Sequence, residues 1–94
     1  MTIEWSPEAI EDFANLRAFI NEASPRAARA TALAIIEAVE AQLPDNPAIG
    51  RPGRVPGTRE LVIARTPWIV PYRLRGSTIE ILRVFGARRW PDHF

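Results

Sequence analysis

The residues best suited to chemistry in this chain are arginines that alternate with aromatic side chains in its second half. Arginine pairs with phosphate or carboxylate through two-point contacts, and it stacks on aromatic rings. Such a surface is typical of proteins that bind RNA or an acidic protein. The alternative, which the sequence leaves open, is that the aromatics fill a core while the arginines are solvated. The set comprises Arg65, Trp68, Tyr72, Arg73, Arg75, Arg83, Phe85, Arg88, Arg89 and Trp90.

Other reactive groups are scarce. The chain has no cysteine, which excludes disulfides and cysteine-ligated metal, and its single histidine is His93, beside the end of the sequence. His93 has the chemistry of a general acid or base at neutral pH, although a histidine at a chain end is commonly a bystander. No acidic cluster has metal-ligand spacing, and no glycine-rich loop precedes a helix at phosphate-binding spacing. We therefore expect neither a metal nor a cofactor.

Charge is distributed unevenly along the chain. Residues 1–43 hold three arginines and seven acidic residues, a net −4, whereas residues 59–94 hold seven arginines and three acidic residues, a net +4. Every basic residue is arginine, and the second half is a basic element on a nearly neutral protein. The length predicts one domain over 1–94. Because no leader segment and no membrane-spanning apolar run is visible, we expect a cytoplasmic protein.

The elements that must position these side chains begin with a helical hairpin. Residues 2–5 alternate like a short strand, and Ser6-Pro7 then supplies an N-cap and a first helical residue. Apolar residues at helical spacing continue this helix to about Ala23. Ser24-Pro25 repeats the start signal for a second, alanine-rich helix to about Leu43. Because almost nothing joins the two helices, they should pack antiparallel.

The second half has the two-residue period of β-strands. A loop rich in proline and glycine over residues 44–58 leads into strands at Leu61–Ala64, Trp68–Arg75 and Thr78–Phe85. Pro71 stands mid-strand without an N–H to donate, so that strand must lie at an edge there or bulge. The order β-αα-βββ predicts an α+β domain, with the helical hairpin packed on one face of a small, mainly antiparallel sheet.

The second helix has two adjacent apolar faces, and a two-layer domain needs to bury only one of them against the sheet and the first helix. Exposed apolar surface often marks a partner site, so one face is a candidate for binding. Phe19 on the first helix is similar, because its helical neighbours are mostly polar. The alternative is a single wide arc that is wholly buried. The faces are Leu33, Ile36 and Leu43 on one side, and Ala28, Ala32, Ile35 and Val39 on the other.

Three parts of the chain together resemble the RelE/ParE superfamily of toxins. The opening Trp5-Ser6-Pro7-Glu8-Ala9, with Asp12, is similar to the start of that family. The run from Arg59 to Leu74, then Ile79 to Val84, then Ala87 to Pro91, is similar to its C-terminal half. The β-αα-βββ order and the length agree. The resemblance covers nearly the whole chain and implies the toxin component of a type II toxin–antitoxin module.

The resemblance also implies partners. In this family a small antitoxin, ParD-like or of another kind, neutralises the toxin by wrapping its C-terminal segment around it, and operator DNA is contacted only through the antitoxin. We therefore expect a hetero-oligomer and no membrane association. The antitoxin-binding residues predicted here combine spare helix faces with the sheet. They are Phe19, Ile35, Val39, Trp68 and Arg73.

The two branches of the family have different targets. RelE-like members cleave messenger RNA on the ribosome without metal, and ParE-like members inhibit DNA gyrase. Cleavage of RNA without metal needs a base for the 2′-OH, an acid for the leaving oxygen and cations for the phosphorane. If this chain is a ribonuclease, its candidate groups are Arg59, Glu60, Arg65, Arg73, Arg83 and His93.

One departure from the family pattern favours the ParE-like branch. Many relatives carry a histidine after the strand that ends here at Val84, but Phe85-Gly86 stand at that point. We therefore predict a plasmid-stabilising toxin that inhibits DNA gyrase. A RelE-like ribonuclease remains an alternative, as does an inactive homologue that acts as a co-repressor with its antitoxin.

Overall fold

Two Ser-Pro sequences begin the two helices of the computed structural model, which describes residues 1–89. Helix α1 spans Pro7–Ala23, and the Ser6 hydroxyl oxygen accepts the N–H of Ala9 at 3.0 Å. The backbone N–H of Ser24 ends α1 by bonding to the Ile20 carbonyl at 2.9 Å. The Ser24 side chain then caps α2, Pro25–Ile36. Because one residue ends one helix and starts the next, the predicted hairpin is confirmed.

The second helix changes geometry near its end. Helix α2 continues directly into a π-helical segment, Glu37–Gln42, so the predicted helical stretch is present but has a wider final turn. In a π-helix the hydrogen bonds join residues five apart rather than four. Within residues 1–89, no helix is both long and apolar enough to cross a bilayer.

Six strands form one sheet within residues 1–89: β1 Thr2–Trp5, β2 Arg51–Pro52, β3 Arg59–Val62, β4 Trp68–Arg75, β5 Thr78–Ile81 and β6 Phe85–Gly86. Their order is β1-β5-β4-β3-β2, and β6 also pairs with β4. Strand β1 runs parallel to β5, and the other pairs are antiparallel, which confirms the prediction of a mainly antiparallel sheet. Strand β2 lies in the segment predicted as loop.

The core lies between the helical hairpin and one face of the sheet. Val70 and Tyr72 of β4 are fully buried there, and Trp68 packs against the same cluster. The aromatic residues of this strand therefore contribute to the core, as the alternative interpretation predicted. The other face of the sheet carries Arg73 and Glu80, which are opposite each other in β4 and β5.

Pro71 explains why the last predicted strand is two strands. Tyr72 pairs with Ile81, and Ile69 pairs with Phe85. The two residues of β4 between these pairs, 70–71, therefore lie opposite three residues, 82–84, of the segment between β5 and β6. This extra residue is a β-bulge. Leu82 donates its N–H to the Pro71 carbonyl at 2.9 Å, but Pro71 has no N–H to return. The Leu82 carbonyl accepts the Ser6 hydroxyl at 2.9 Å instead, and the chain leaves the ladder until β6.

Candidate functional site

Glu60, the carboxylate predicted as a candidate acid or base, is engaged in holding the loop before β3. Only 4% of its surface is exposed. One carboxylate oxygen accepts Nε of Arg51 at 3.0 Å, and the other accepts the backbone N–H of Arg54 at 2.8 Å. Both oxygens are therefore committed to intramolecular hydrogen bonds, and the group is positioned to order residues 51–54 rather than to receive a proton from a ligand.

Arg59 is also committed to this loop. Its guanidinium donates from Nη1 to the carbonyl oxygen of Gly50 at 2.8 Å and to that of Ala48 at 3.3 Å. Successive strand residues point to opposite faces of a sheet. Arg59 is paired with the core residue Tyr72, whereas Glu60 is paired with Pro71 on the other face. The two neighbouring candidates therefore do not converge on one site.

Tyr72 completes the fixation of the loop from inside the core. Its hydroxyl donates to the Pro47 carbonyl at 2.8 Å and accepts the Gly50 N–H at 2.9 Å. Burial raises the pKa of the Tyr72 hydroxyl above its ordinary value, and this effect outweighs the opposite influences of Gly50 and Arg59. A side chain at Gly50 would have its Cβ 2.7 Å from the Tyr72 ring, so glycine is required by this close approach.

Three further arginines of the predicted set, Arg73, Arg75 and Arg83, are paired with carboxylates of the same chain. Arg73 Nε lies 2.6 Å from the Glu80 carboxylate, and Arg75 Nε lies 3.4 Å from the same oxygen. Arg83 forms a two-point pair with Asp12, at 2.7 and 3.1 Å. The hydrogen bond to Asp12 raises the pKa of Arg83. The face with these arginines is therefore a mixed-charge surface and not a continuous cationic patch.

Asp12 links two distant parts of the fold, a role that the sequence pattern did not predict. Besides Arg83, it accepts the backbone N–H of Val84 at 3.0 Å. It therefore ties the first helix to the segment that crosses between β5 and β6. The family resemblance had singled out Asp12, but the spacing along the chain gave no indication of a partner more than 70 residues away.

Arg65 differs from Arg59, Arg73 and Arg83, the other arginines of the candidate catalytic set. It lies in the turn between β3 and β4, is exposed, and has a left-handed backbone with φ of 63°. Among residues 1–89 it has no hydrogen-bond or ion-pair partner. His93 lies outside the described residues, as does Trp90 of the aromatic set. The structure thus brings no base, acid and cation of the predicted catalytic set together within residues 1–89.

Phe19 and Trp68, both predicted to bind a partner, line one groove. The groove lies between α1 and the chain around β6 and has a volume of about 620 Å³. Its floor is formed by the buried Leu16, Val84 and Phe85, and its rim includes Arg88 and Arg89. Phe19 is 60% exposed, and the Arg89 guanidinium lies 6.0 Å from its ring centroid. We refer to this feature as the Phe19 groove.

Ile35 and Val39, predicted to contact the same partner, are wrong choices for a surface. Both are fully buried, with 0% exposure. They follow Ala28 and Ala32 along the helix, and these small side chains let that face approach the rest of the fold closely. On the other face Leu33 and Ile36 are exposed, but its third member, Leu43, is fully buried. The sequence offered two apolar faces, and only the packing decided between them.

Residues 1–89 contain no group of three or more side chains suited to hold a metal ion. No side-chain nitrogen or oxygen atom buried in this part of the chain lacks a hydrogen-bond partner. The polar groups are therefore arranged to satisfy each other within the fold. Apolar surface and exposed arginines, among them Arg65, Arg88 and Arg89, are available to a ligand.

Comparison with known proteins gives consistent matches over almost the whole chain. The family model described as the ParE toxin of the type II toxin–antitoxin system parDE matches residues 3–90. Candidate toxin Y4kP of Sinorhizobium fredii is 42% identical over 91 residues, which is 96% of this chain and 93% of that protein.

Two solved structures extend this similarity to the fold. A chain of the chromosomal ParDE system of P. aeruginosa has a TM-score of 0.78 and 31% identity, over 92% of this chain and 95% of that one. A chain of the RelBE2 toxin–antitoxin complex of Mycobacterium tuberculosis has a TM-score of 0.64 and 26% identity, over 90% and 88%. Both neighbours share the α+β architecture of two helices on a mostly antiparallel sheet.

Proposed function

Because this chain belongs to the ParE toxin family of type II toxin–antitoxin systems, we propose that it arrests bacterial growth by inhibiting DNA gyrase. The chain is a toxin of the ParE/RelE type. The target and a role in plasmid stabilisation are the proposed part. A ParE-like toxin acts by binding another protein, so it requires exposed contact surface rather than an assembled acid–base pair.

The observation that carries this proposal is the state of the strand arginines and of Glu60. Cleavage of RNA without metal needs a free base and cations directed at the phosphate. Glu60 has both oxygens occupied by Arg51 and Arg54, and Arg83 is held by Asp12. Using these groups on RNA would first require intramolecular charge-assisted hydrogen bonds to break, which costs free energy. Binding to a protein target has no such requirement.

The proposed partner is a cognate antitoxin, since both solved neighbours come from toxin–antitoxin systems. We place antitoxin contact at the Phe19 groove, with Phe19 and Trp68 as apolar contacts. Exposed aromatic residues in a groove are typical binding hot spots. Arg73, which pairs with Glu80 outside this groove, remains part of the proposed surface from the sheet side. Contact with operator DNA would be made by the antitoxin.

A RelE-like ribosome-dependent ribonuclease is the second candidate. It is favoured by the similarity to the RelBE2 chain and by Arg65, which is exposed and unpartnered among residues 1–89. In this case Arg65 would contact phosphate, and the pairs of Arg73 and Arg83 would open on the ribosome. His93 is the remaining acid–base candidate, and it lies outside the described residues.

A pulse-labelling time course after induction of this chain alone separates the candidates. We expect DNA synthesis to fall before protein synthesis, and purified chain to inhibit supercoiling by gyrase. An earlier fall in protein synthesis, with cleaved messenger RNA, would replace the gyrase target with the ribosome. Growth that continues while folded protein accumulates would instead identify an inactive homologue that serves as a co-repressor.

A further inference from the structure

The helical hairpin carries a line of exposed residues along the groove between its two helices. Arg29, Leu33 and Ile36 are four and three residues apart, so they lie on one side of α2, and Glu40 continues the line into the π-helical segment. All four are exposed, Leu33 at 57% and Ile36 at 41%. Ile10 of α1, also 57% exposed, lines a groove of about 200 Å³ with Ile36 and Glu40. We refer to these five residues as the hairpin face.

The two ends of the hairpin face carry opposite charges. At one end, the Glu40 carboxylate accepts Nε1 of Trp5 at 3.2 Å, a neutral donor that leaves the negative charge in place. At the other end, Arg29 has no hydrogen-bond or ion-pair partner among residues 1–89. Arg17 of α1 borders the same groove as Arg29, and its guanidinium lies 6.0 Å from the Phe13 ring centroid. The face is therefore acidic at one end, apolar in the middle and basic at the other end.

The order of these residues along the second helix is self-complementary. The midpoint between Arg29 and Glu40 falls between positions 34 and 35, and the midpoint between Leu33 and Ile36 falls at the same place. A two-fold axis through this midpoint, perpendicular to the helix, runs two copies of the helix antiparallel and pairs the same patch on both. Arg29 of each copy then faces Glu40 of the other, and Leu33 of each faces Ile36 of the other.

We propose that the hairpin face binds a second copy of this chain and forms a two-fold symmetric dimer, in which α2 packs antiparallel against α2. This inference goes beyond the proposed function and does not depend on the target of the toxin. The charges select the antiparallel arrangement, because a parallel one would place Arg29 against Arg29 and Glu40 against Glu40. Like charges brought together at an interface disfavour that arrangement.

The first helix fits the same two-fold axis. Ile10 lies level with Glu40, and Arg17 lies level with Arg29, so the midpoint on α1 falls near Ala14. Ala14 is exposed, and its small side chain lets the two copies approach each other. Ile10 of one copy would then lie against the aliphatic part of Arg17 of the other. A pair of hairpins of this length would bury roughly 1,000 Å² in total, which is at the lower end for a specific interface, so we expect a reversible dimer.

The hairpin face shares no residue with the Phe19 groove. The first helix contributes Leu16 and Phe19 to that groove and Ile10 to the hairpin face. A dimer formed through the hairpin face would therefore leave the proposed antitoxin contact open. An antitoxin on the hairpin face would have no need of the self-complementary order of its charges, which is the reason to assign the face to a second copy.

Sedimentation velocity of the purified full chain, with two charge reversals, tests the dimer. Arg29→Glu places a like charge opposite Glu40 at both ends of the interface, and Glu40→Arg does the same opposite Arg29. We expect each variant alone to raise the dimer dissociation constant at least about tenfold. Mixed in equal amounts, the two variants should dimerise with each other, because each end then pairs a glutamate with an arginine. Arg75→Glu makes the same change of charge on the other face of the sheet and should leave dimerisation unchanged.

A second variant covers the loss of folding that Glu40→Arg risks by removing the acceptor of Trp5. Leu33→Asp changes an exposed side chain at the apolar centre, and we expect a monomer whose circular dichroism is that of the unchanged chain. The proposal would be overturned by an unchanged chain that stays monomeric, or by a dimer that Arg29→Glu and Leu33→Asp leave intact. A mixture of the folded charge variants that stays monomeric would overturn it too. Weaker antitoxin binding by Leu33→Asp, with the unchanged chain monomeric, would assign the face to the antitoxin instead.

Discussion

Tyr72 is the only tyrosine of the chain, and its hydroxyl is used as both donor and acceptor. Replacing Tyr72 with phenylalanine would leave the ring in the core but would deprive the Gly50 N–H and the Pro47 carbonyl of their partner. We expect Tyr72→Phe to lower the free energy of unfolding by about 2 kcal/mol, measured by urea denaturation. A loss no greater than that of an exposed substitution such as Glu11→Ala would show that the loop is held without this hydroxyl.

The same side chain predicts a dependence of stability on alkaline pH. Burial raises the pKa of Tyr72 above its ordinary value of 10.0, so the folded chain keeps a proton that the unfolded chain releases. The stabilising contribution is complete below pH 10.0 and is lost as the pH rises toward the folded pKa. Because no other tyrosine is present, phenolate absorbance reports this group alone. We expect its midpoint to lie higher in the folded chain than in urea, and Tyr72→Phe to remove this component of the pH dependence.

Asp12 supports the fold through contacts with residues distant in sequence. Asp12→Ala would remove three hydrogen bonds, to Arg83 and to the Val84 N–H, and would leave the partly buried Arg83 without its carboxylate. We expect a destabilisation of about 2 kcal/mol in chemical denaturation. Glu11→Ala, on the same helix and exposed, is the control and should change stability by less than about 0.5 kcal/mol. Similar values for both variants would contradict a structural role for the Asp12 pair.

At the scale of secondary-structure elements, the two Ser-Pro helix starts provide a matched comparison. Both serines accept a backbone N–H of their own helix, but Ser6 also donates to the Leu82 carbonyl that Pro71 leaves without a partner. We expect Ser24→Ala to cost about 1 kcal/mol, as for an ordinary N-cap, and Ser6→Ala to cost about 2 kcal/mol. Equal losses in urea denaturation would mean that water replaces the Ser6 hydroxyl at Leu82.

The division of the last predicted strand into β5 and β6 also belongs to this scale. The residue pattern from Thr78 to Phe85 is typical of one strand, and it contains nothing that interrupts a strand. The interruption comes from Pro71 in the neighbouring strand, which has no N–H for the Leu82 carbonyl. The prediction that the strand containing Pro71 lies at an edge or bulges was therefore wrong for that strand: β4 lies between β3 and β5, and the extra residue is in the segment between β5 and β6.

At the scale of the whole molecule, the distribution of charge makes a prediction about the target. Arg73 and Arg83 are paired with Glu80 and Asp12, and Arg65 is exposed in a turn. If the toxin acts on gyrase through a protein surface, Arg65→Ala, Arg73→Ala and Arg83→Ala should each retain growth arrest wherever circular dichroism shows a folded chain. Abolished messenger RNA cleavage in a folded variant would support the ribonuclease instead.

Much of the fold is predictable from the sequence because its signals are local. Serine before proline begins each helix, alternating apolar residues define β4, and glycine at position 76 supplies the turn with φ of 60° before β5. These features depend on the conformational preferences of a few consecutive residues. The resemblance to the toxin family added the arrangement of the elements, and the comparisons confirmed it.

The candidate site depended on contacts that only the tertiary structure creates. The choice of Ile35 and Val39 over Leu33 and Ile36 as the buried face was made by packing against the sheet, since both faces are apolar. The state of each arginine was decided by the carboxylate that the fold brings beside it, such as Asp12 for Arg83. The sequence by itself determined both helix starts, most of the strands, the family and the charged groups available, but not β2, the π-helical turn or the division between β5 and β6. Only the tertiary structure decided which charged groups pair within the fold and which stay exposed to a partner. The physical reason is that the desolvation and pairing of a charge depend on neighbours that are distant along the chain.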